Sequence, residues 1–175
     1  MKQVRCDEAG LEETAAVLLA GGVAVIPTDT VYGLAAHPRF PAAVERLYTI
    51  KGREAKKPIA LLAADPEATP VRHPLTAKWP GALTIVYEGE GYRVPDHAWT
   101  RELLRRCGGL LRVTSANLSG RRPATDAPQA LADVGLSAEI VVDDGVSPGG
   151  VPSTVVKLAT DGALTVLREG SVKVD

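Results

Sequence analysis

Apolar positions along the chain change their spacing several times, and each change marks an element. Leu11, Ala15, Leu18 and Leu19 share one helical face, and Gly21 with Gly22 closes that helix. Residues 23–26 (VAVI) are apolar without a break, as expected of a strand covered on both faces, and Pro27 stops it. Thr28 or Thr30 can serve as an N-cap, which predicts a short helix after them. Residues 41–50 return to helical spacing with Val44, Leu47 and Tyr48 inward, and 59–63 read as a second apolar strand. Residues 66–81 carry several prolines and read as irregular, with a short helix near Ala77. Residues 83–87 predict a strand, 98–107 a helix, 110–114 a strand, and 128–134 a helix with Pro128 in its first turn. Residues 140–142, 154–158 and 164–167 predict strands, the last two joined as a hairpin through Asp161 and Gly162.

Helices and strands alternate early, and strands cluster late. That order predicts an α/β chain of the α+β type: a twisted, mostly mixed sheet with flanking helices, in one domain over residues 1–175. Aromatics are only 4% of residues, so the core must be built from Ala, Val, Leu and Ile. The net charge of −1 argues against a strongly basic nucleic-acid binder. Cys6 and Cys107 form no CxxC pair and point to a reducing cytosol. His37, His73 and His97 lack the spacing of a zinc motif, so no metal site is expected. No apolar run reaches membrane-spanning length, and the start of the chain carries no secretory core, which together predict a cytoplasmic protein without a membrane partner.

Four polar clusters can carry chemistry. The first is Pro27-Thr28-Asp29-Thr30, directly after a buried strand. In the second, Lys51 and Arg53, read as extended, point the same way toward one anion; with Glu54, Lys56 and Lys57 they leave a local charge of +3. In the third, Ser115 and Asn117 alternate as neutral donors. The fourth joins Gly149, Gly150 and Ser153 to Arg168 on the last strand. Each also has a plain structural reading as a capping turn, a solvated loop or a strand connection. Gly145 to Gly149 spells GxSxG, but prolines and glycines come next, where a nucleophile elbow needs a helix. There is no phosphate-binding GxxxxGK[ST] loop.

In order, the strings IPTDTVYGLAAHP, IKGREAKKPIALL, WPGALTIV, YRVPDHAW, VTSANLSG, VPSTVVKL and VLREG run through residues 26–170. They resemble the YrdC-like threonylcarbamoyl-AMP synthase family in its short form. The resemblance implies a YrdC/RibB-like sheet around a concave basic cavity. It implies a nucleotidyltransferase that joins L-threonine, bicarbonate or CO2, and ATP into threonylcarbamoyl-AMP and pyrophosphate. A downstream tRNA threonylcarbamoyl transferase would then modify adenosine 37 of ANN-decoding tRNAs. By resemblance, Lys51 and Arg53 are catalytic. Arg53, Lys57, Asn117, Thr125, Ser153 and Arg168 bind ATP, and Thr30, Arg93 and Ser115 bind L-threonine. Mg2+ would arrive with ATP, since no carboxylate cage is visible.

The chain departs from the family in two places. It lacks the histidine that many relatives carry after the Lys57-Pro58 step, and its segment between Val86 and Tyr92 is shorter. Two other functions fit a basic cavity. One is an RNA-binding module without catalysis, or with weak RNA binding beside it; the other is a carbamoyl-adenylate enzyme fed by carbamoyl phosphate.

Overall fold

The computed structural model describes residues 1–53 and 57–175. The elements run in the order β1 (Lys2–Arg5), α1 (Glu8–Leu19), β2 (Val23–Ile26), β3 (Gly33–Ala36), α2 (Pro41–Lys51), β4 (Leu61–Ala63), β5 (Leu83–Tyr87) and β6 (Glu90–Arg93). Then come α3 (Ala98–Arg106), β7 (Leu110–Ser115), α4 (Ala127–Asp133), β8 (Ile140–Asp143), β9 (Thr154–Leu158) and β10 (Leu164–Arg168). Among the described residues the strands form one ten-stranded sheet in the order β1-β8-β2-β3-β7-β4-β6-β5-β9-β10. It is mixed: β8 runs parallel to β1 and β2, and β5 parallel to β9, whereas β3 is antiparallel to both β2 and β7.

The unbroken apolar run of β2 is explained by its central place. Ala24 and Ile26 pack on one face with Leu11 and Leu18 of α1 and Leu103 and Leu104 of α3. Val23 and Val25 pack on the opposite face with Ala43 and Leu47 of α2 and Ala127 and Ala130 of α4. The other half of the sheet is covered differently. Leu83 and Ile85 of β5 and Val156 and Leu158 of β9 turn toward Val71, Leu75 and Trp79 of the proline-rich stretch, which carries a short 3-10 turn at Pro74–Lys78. Their neighbours Thr84, Val86 and Val155 project to the other side, by the two-residue period of a strand. That second face carries a cavity.

Three expectations are corrected. No helix succeeds Thr28 or Thr30. The chain reverses there into β3, whose Gly33-Leu34-Ala35-Ala36 is wholly buried between β2 and β7. A Cβ on Gly33 would lie 2.5 Å from Val113 Cγ1, so the close approach of β7 demands glycine. The strand expected at 59–63 begins only at Leu61. Finally, Lys51 and Arg53 do not share an extended segment: Lys51 ends α2, and Gly52 caps it in the left-handed conformation at φ 66°.

The short segment before Tyr92 is a tight hairpin. Tyr87 pairs with Glu90, so only Glu88 and Gly89 turn the chain, with φ of 50° and 83°. This seats Arg93 at the end of β6, opposite Leu62 of β4.

Candidate functional site

A cavity of about 430 Å³ opens on the uncovered face, between the β2–β3 turn, β5, β6, β7 and the end of β10. Six of the ten site residues expected from the sequence line it: Thr30, Arg53, Arg93, Ser115, Ser153 and Arg168. Among the described residues the lining contains three arginines and no carboxylate, so the concavity is basic although the chain is not.

Arg93 is the most constrained of these groups. Its Nε donates to the Gly81 carbonyl at 3.1 Å, one Nη to Thr30 Oγ1 at 3.0 Å, and the other Nη to the Asp29 carboxylate. Burial works against the guanidinium charge and Asp29 supports it. A guanidinium carries five N–H donors, so about two stay free for a ligand. Thr28 Oγ1 contacts Thr30 Oγ1 at 3.1 Å and donates to the Val31 carbonyl at 2.6 Å, which fixes the turn from which Thr30 and Asp29 project. The Thr28 and Thr30 hydroxyls therefore organise a turn and an arginine, where the sequence suggested a helix cap.

On the opposite wall, Arg168 donates from Nε to the Ser153 carbonyl at 2.9 Å and from Nη to Ser153 Oγ at 3.2 Å. Ser153 Oγ in turn meets Thr84 Oγ1 at 2.7 Å. Thr84 is not among the residues expected from the sequence; its signal is the single polar residue in the apolar run of β5. Arg53 lies over the Tyr48 ring at 5.3 Å and donates to the Lys57 carbonyl at 2.8 Å. Its Nε is buried with no hydrogen-bond partner among the described residues, an N–H donor held ready for an acceptor.

Four expected residues do not line the cavity. Lys51 is only 3% exposed; its ammonium donates to the Ser115 carbonyl at 2.6 Å, to Ser115 Oγ at 3.2 Å and to Asn117 Oδ1 at 3.3 Å. Burial, and after it repulsion from Arg53, pushes its pKa down to about 8. Asn117 does not alternate with Ser115 on one face. It is buried, and its amide donates to the Leu118 and Arg121 carbonyls, so it braces Lys51 and the adjoining turn. Lys57 offers its carbonyl to Arg53 and to the Tyr48 hydroxyl while its side chain is exposed. Thr125 Oγ1 is tied to Gln129 at the start of α4. Of the basic run, Glu54 and Lys56 lie outside the described residues.

The apolar side of the cavity is formed by Ile59, Ala60, Leu62 and Val86. The connection between β8 and β9 closes the turn side. Gly149 N–H donates to the Asp29 carbonyl at 3.0 Å and Gly150 N–H to the Thr30 carbonyl at 2.9 Å. No helix succeeds Ser147, so the GxSxG string builds no nucleophile elbow. No helix of the described residues is long and apolar enough to cross a membrane.

Set beside known proteins, residues 16–170 match the sequence model of the Sua5/YciO/YrdC family, described as telomere recombination. The threonylcarbamoyl-AMP synthase of Bacillus subtilis is 31% identical over 186 residues, covering 93% of this chain and 54% of that protein. The putative threonylcarbamoyl-AMP synthase of Mycobacterium tuberculosis (strain H37Rv) is 33% identical over 191 residues, covering 95% of this chain and 86% of that protein. Among solved structures, P. abyssi Sua5 complexed with L-threonine superposes with a TM-score of 0.86 at 29% identity, over 97% of this chain and 57% of that one. The chain thus spans little more than half the length of two of these three relatives.

Proposed function

This chain belongs to the Sua5/YciO/YrdC family, and on that footing we propose that it is an L-threonylcarbamoyladenylate synthase. The observation that carries the reading is a cavity lined, among the described residues, by three arginines and no carboxylate, in a chain whose relatives include a Sua5 complexed with L-threonine. The threonine amine adds to CO2, losing a proton, and gives a carbamate. When bicarbonate is the source, water leaves and no net proton is released. A carbamate oxygen then attacks the α-phosphorus of ATP, the new P–O bond forms, and pyrophosphate leaves. Such a transfer needs alignment and neutralisation of charge, and no protein nucleophile.

Arg93 takes the threonine carboxylate with the N–H groups left over from Asp29, Thr30 and Gly81, and Thr30 and Ser115 flank the amino acid. Arg53, whose Nε has no partner among the described residues, and Lys51, acting through Ser115, neutralise the carbamate and phosphates. Ser153 and Arg168 hold the nucleotide on the far wall, with Asn117 positioning Lys51. Lys57 and Thr125 are assigned to the part of ATP that extends beyond the lining. Mg2+ comes as MgATP, held by phosphate oxygens and water, because the described lining offers no carboxylate ligand. We further assign residues 1–175 to one domain, the protein to the cytoplasm, and its product to a tRNA threonylcarbamoyl transferase.

The rival of an RNA-binding surface is not favoured. Among the described residues the one aromatic side chain in the lining, Tyr32, is fully buried and donates its hydroxyl to the Gly145 carbonyl, so no ring face is open for base stacking. Mass spectrometry of a reaction with ATP, L-threonine and isotopically labelled bicarbonate tests the proposal. Threonylcarbamoyl-AMP carrying one labelled carbon is the expected product. An adenylate formed from ATP and carbamoyl phosphate, with threonine and bicarbonate left out, would instead favour carbamoyl chemistry.

A further inference from the structure

On the far side of Tyr32 from the cavity, three potential metal ligands meet that the spacing of the sequence could not reveal, because they come from three separate segments. Cys6 comes just after β1, His97 just before α3, and Asp144 just after β8. One ligand atom from each lies within 4.8 Å of the other two. His97 Nε2 is 2.7 Å from Asp144 Oδ2. A tetrahedral zinc ion about 2.0–2.3 Å from each ligand needs the ligands roughly 3–3.6 Å apart, so small side-chain adjustments suffice. Thiolate, imidazole and carboxylate together suit Zn2+ better than the oxygen-seeking Mg2+ or Ca2+. The trio is not arranged as a nucleophilic triad: with Nε2 on Asp144 and Nδ1 accepting from the Thr100 N–H, the His97 ring has no nitrogen left to take the Cys6 proton. A metal ion would displace the Cys6 proton.

We propose that Cys6, His97 and Asp144 form a Zn2+ site that fastens the loop after β8 to the ends of β1 and α3. Binding through His97 Nε2 replaces two protons. The Cys6 proton goes to solvent. The Nε2 proton appears on Nδ1, which gives up the hydrogen bond it accepts from the Thr100 N–H at 3.2 Å. Solvent completes the tetrahedron. The site would brace the cavity at one remove. The Asp144 N–H donates to the Tyr32 hydroxyl at 2.8 Å, Tyr32 lines the cavity, and the same loop carries Gly149 and Gly150 onto Asp29 and Thr30.

The test uses the purified full chain, stripped with a chelator and titrated with Co2+ as a spectroscopic substitute for Zn2+. One equivalent of Co2+ should produce a thiolate-to-metal absorption band, and Zn2+ should bleach it. Cys6→Ser should lose the band, and Asp144→Asn should weaken binding at least about tenfold. Cys107→Ser, which removes the other thiol, should keep the band; circular dichroism checks that each variant is folded. Absence of a band in the unaltered chain, or its persistence in folded Cys6→Ser, would overturn the proposal. The band reads the site directly, so neither result depends on whether the chain makes an adenylate.

Discussion

Lys51 is the residue at which burial and charge oppose each other most usefully. Its ammonium sits behind Ser115 with a pKa lowered from 10.5 to about 8. On the proposed function the cavity gathers phosphates and needs that charge, so kcat/KM for ATP should fall as pH rises through about 8. The limb should disappear in Lys51→Met, whatever the variant's residual rate. A profile flat to pH 9.5 in the unaltered protein would remove Lys51 from the charge balance. Stability moves in the opposite sense: between about 8 and 10.5 the unfolded chain binds the extra proton, so this residue favours folding increasingly as pH rises. The Asp29–Arg93 pair gives a second residue-level prediction. Both side chains are largely buried, at 13% and 7% exposure, and Asp29→Ala strands a guanidinium. The expected loss is about 3 kcal/mol in urea denaturation. Arg93→Met added to it should restore part of the loss, and a loss below about 1 kcal/mol would contradict the pairing.

At the scale of elements, the loop between β8 and β9 is the part whose shape the site depends on. An alanine at Gly149 would set its Cβ 2.6 Å from the Asp29 carbonyl and 3.1 Å from Thr30 Cα. Gly149→Ala should therefore push apart the wall that holds Thr30. A displacement of roughly 1 Å can lower turnover about 100-fold, and a loss of at least about tenfold in kcat/KM for L-threonine is expected. Wild-type kinetics in a folded Gly149→Ala protein would show that the loop does not set the wall.

The same elements explain how much of the fold can be read from the chain. β2, β5 and β9 are legible because burial on one or both faces leaves an apolar pattern. β3 is not, because a central strand squeezed against β7 uses Gly and Ala, which carry little strand propensity. β1, with Lys2, Gln3 and Arg5, is among the described residues an edge strand paired only with β8 and has too few apolar residues to declare itself. The cavity residues are legible as types but not as neighbours. Asn117 and Lys51 turn inward, and Asp29 and Thr84 enter through contacts made across the sheet.

Across the whole molecule, a net charge of −1 coexists with a cavity that, among the described residues, carries arginines alone as its charged lining. Total charge therefore misleads about the ligand, and location decides. Partly buried charges are screened less than exposed ones. Turnover should consequently change only a few-fold between about 50 and 200 mM salt, where binding along an RNA backbone through roughly six or more phosphates would weaken about 1,000-fold or more. The synthase reading is tested most directly by pyrophosphate release from ATP by the purified protein, measured with L-threonine and bicarbonate together, each alone, and neither. Release that requires both is predicted, with Arg53→Ala reducing it at least about 100-fold. Release indifferent to threonine, or none under any combination, would contradict the synthase reading.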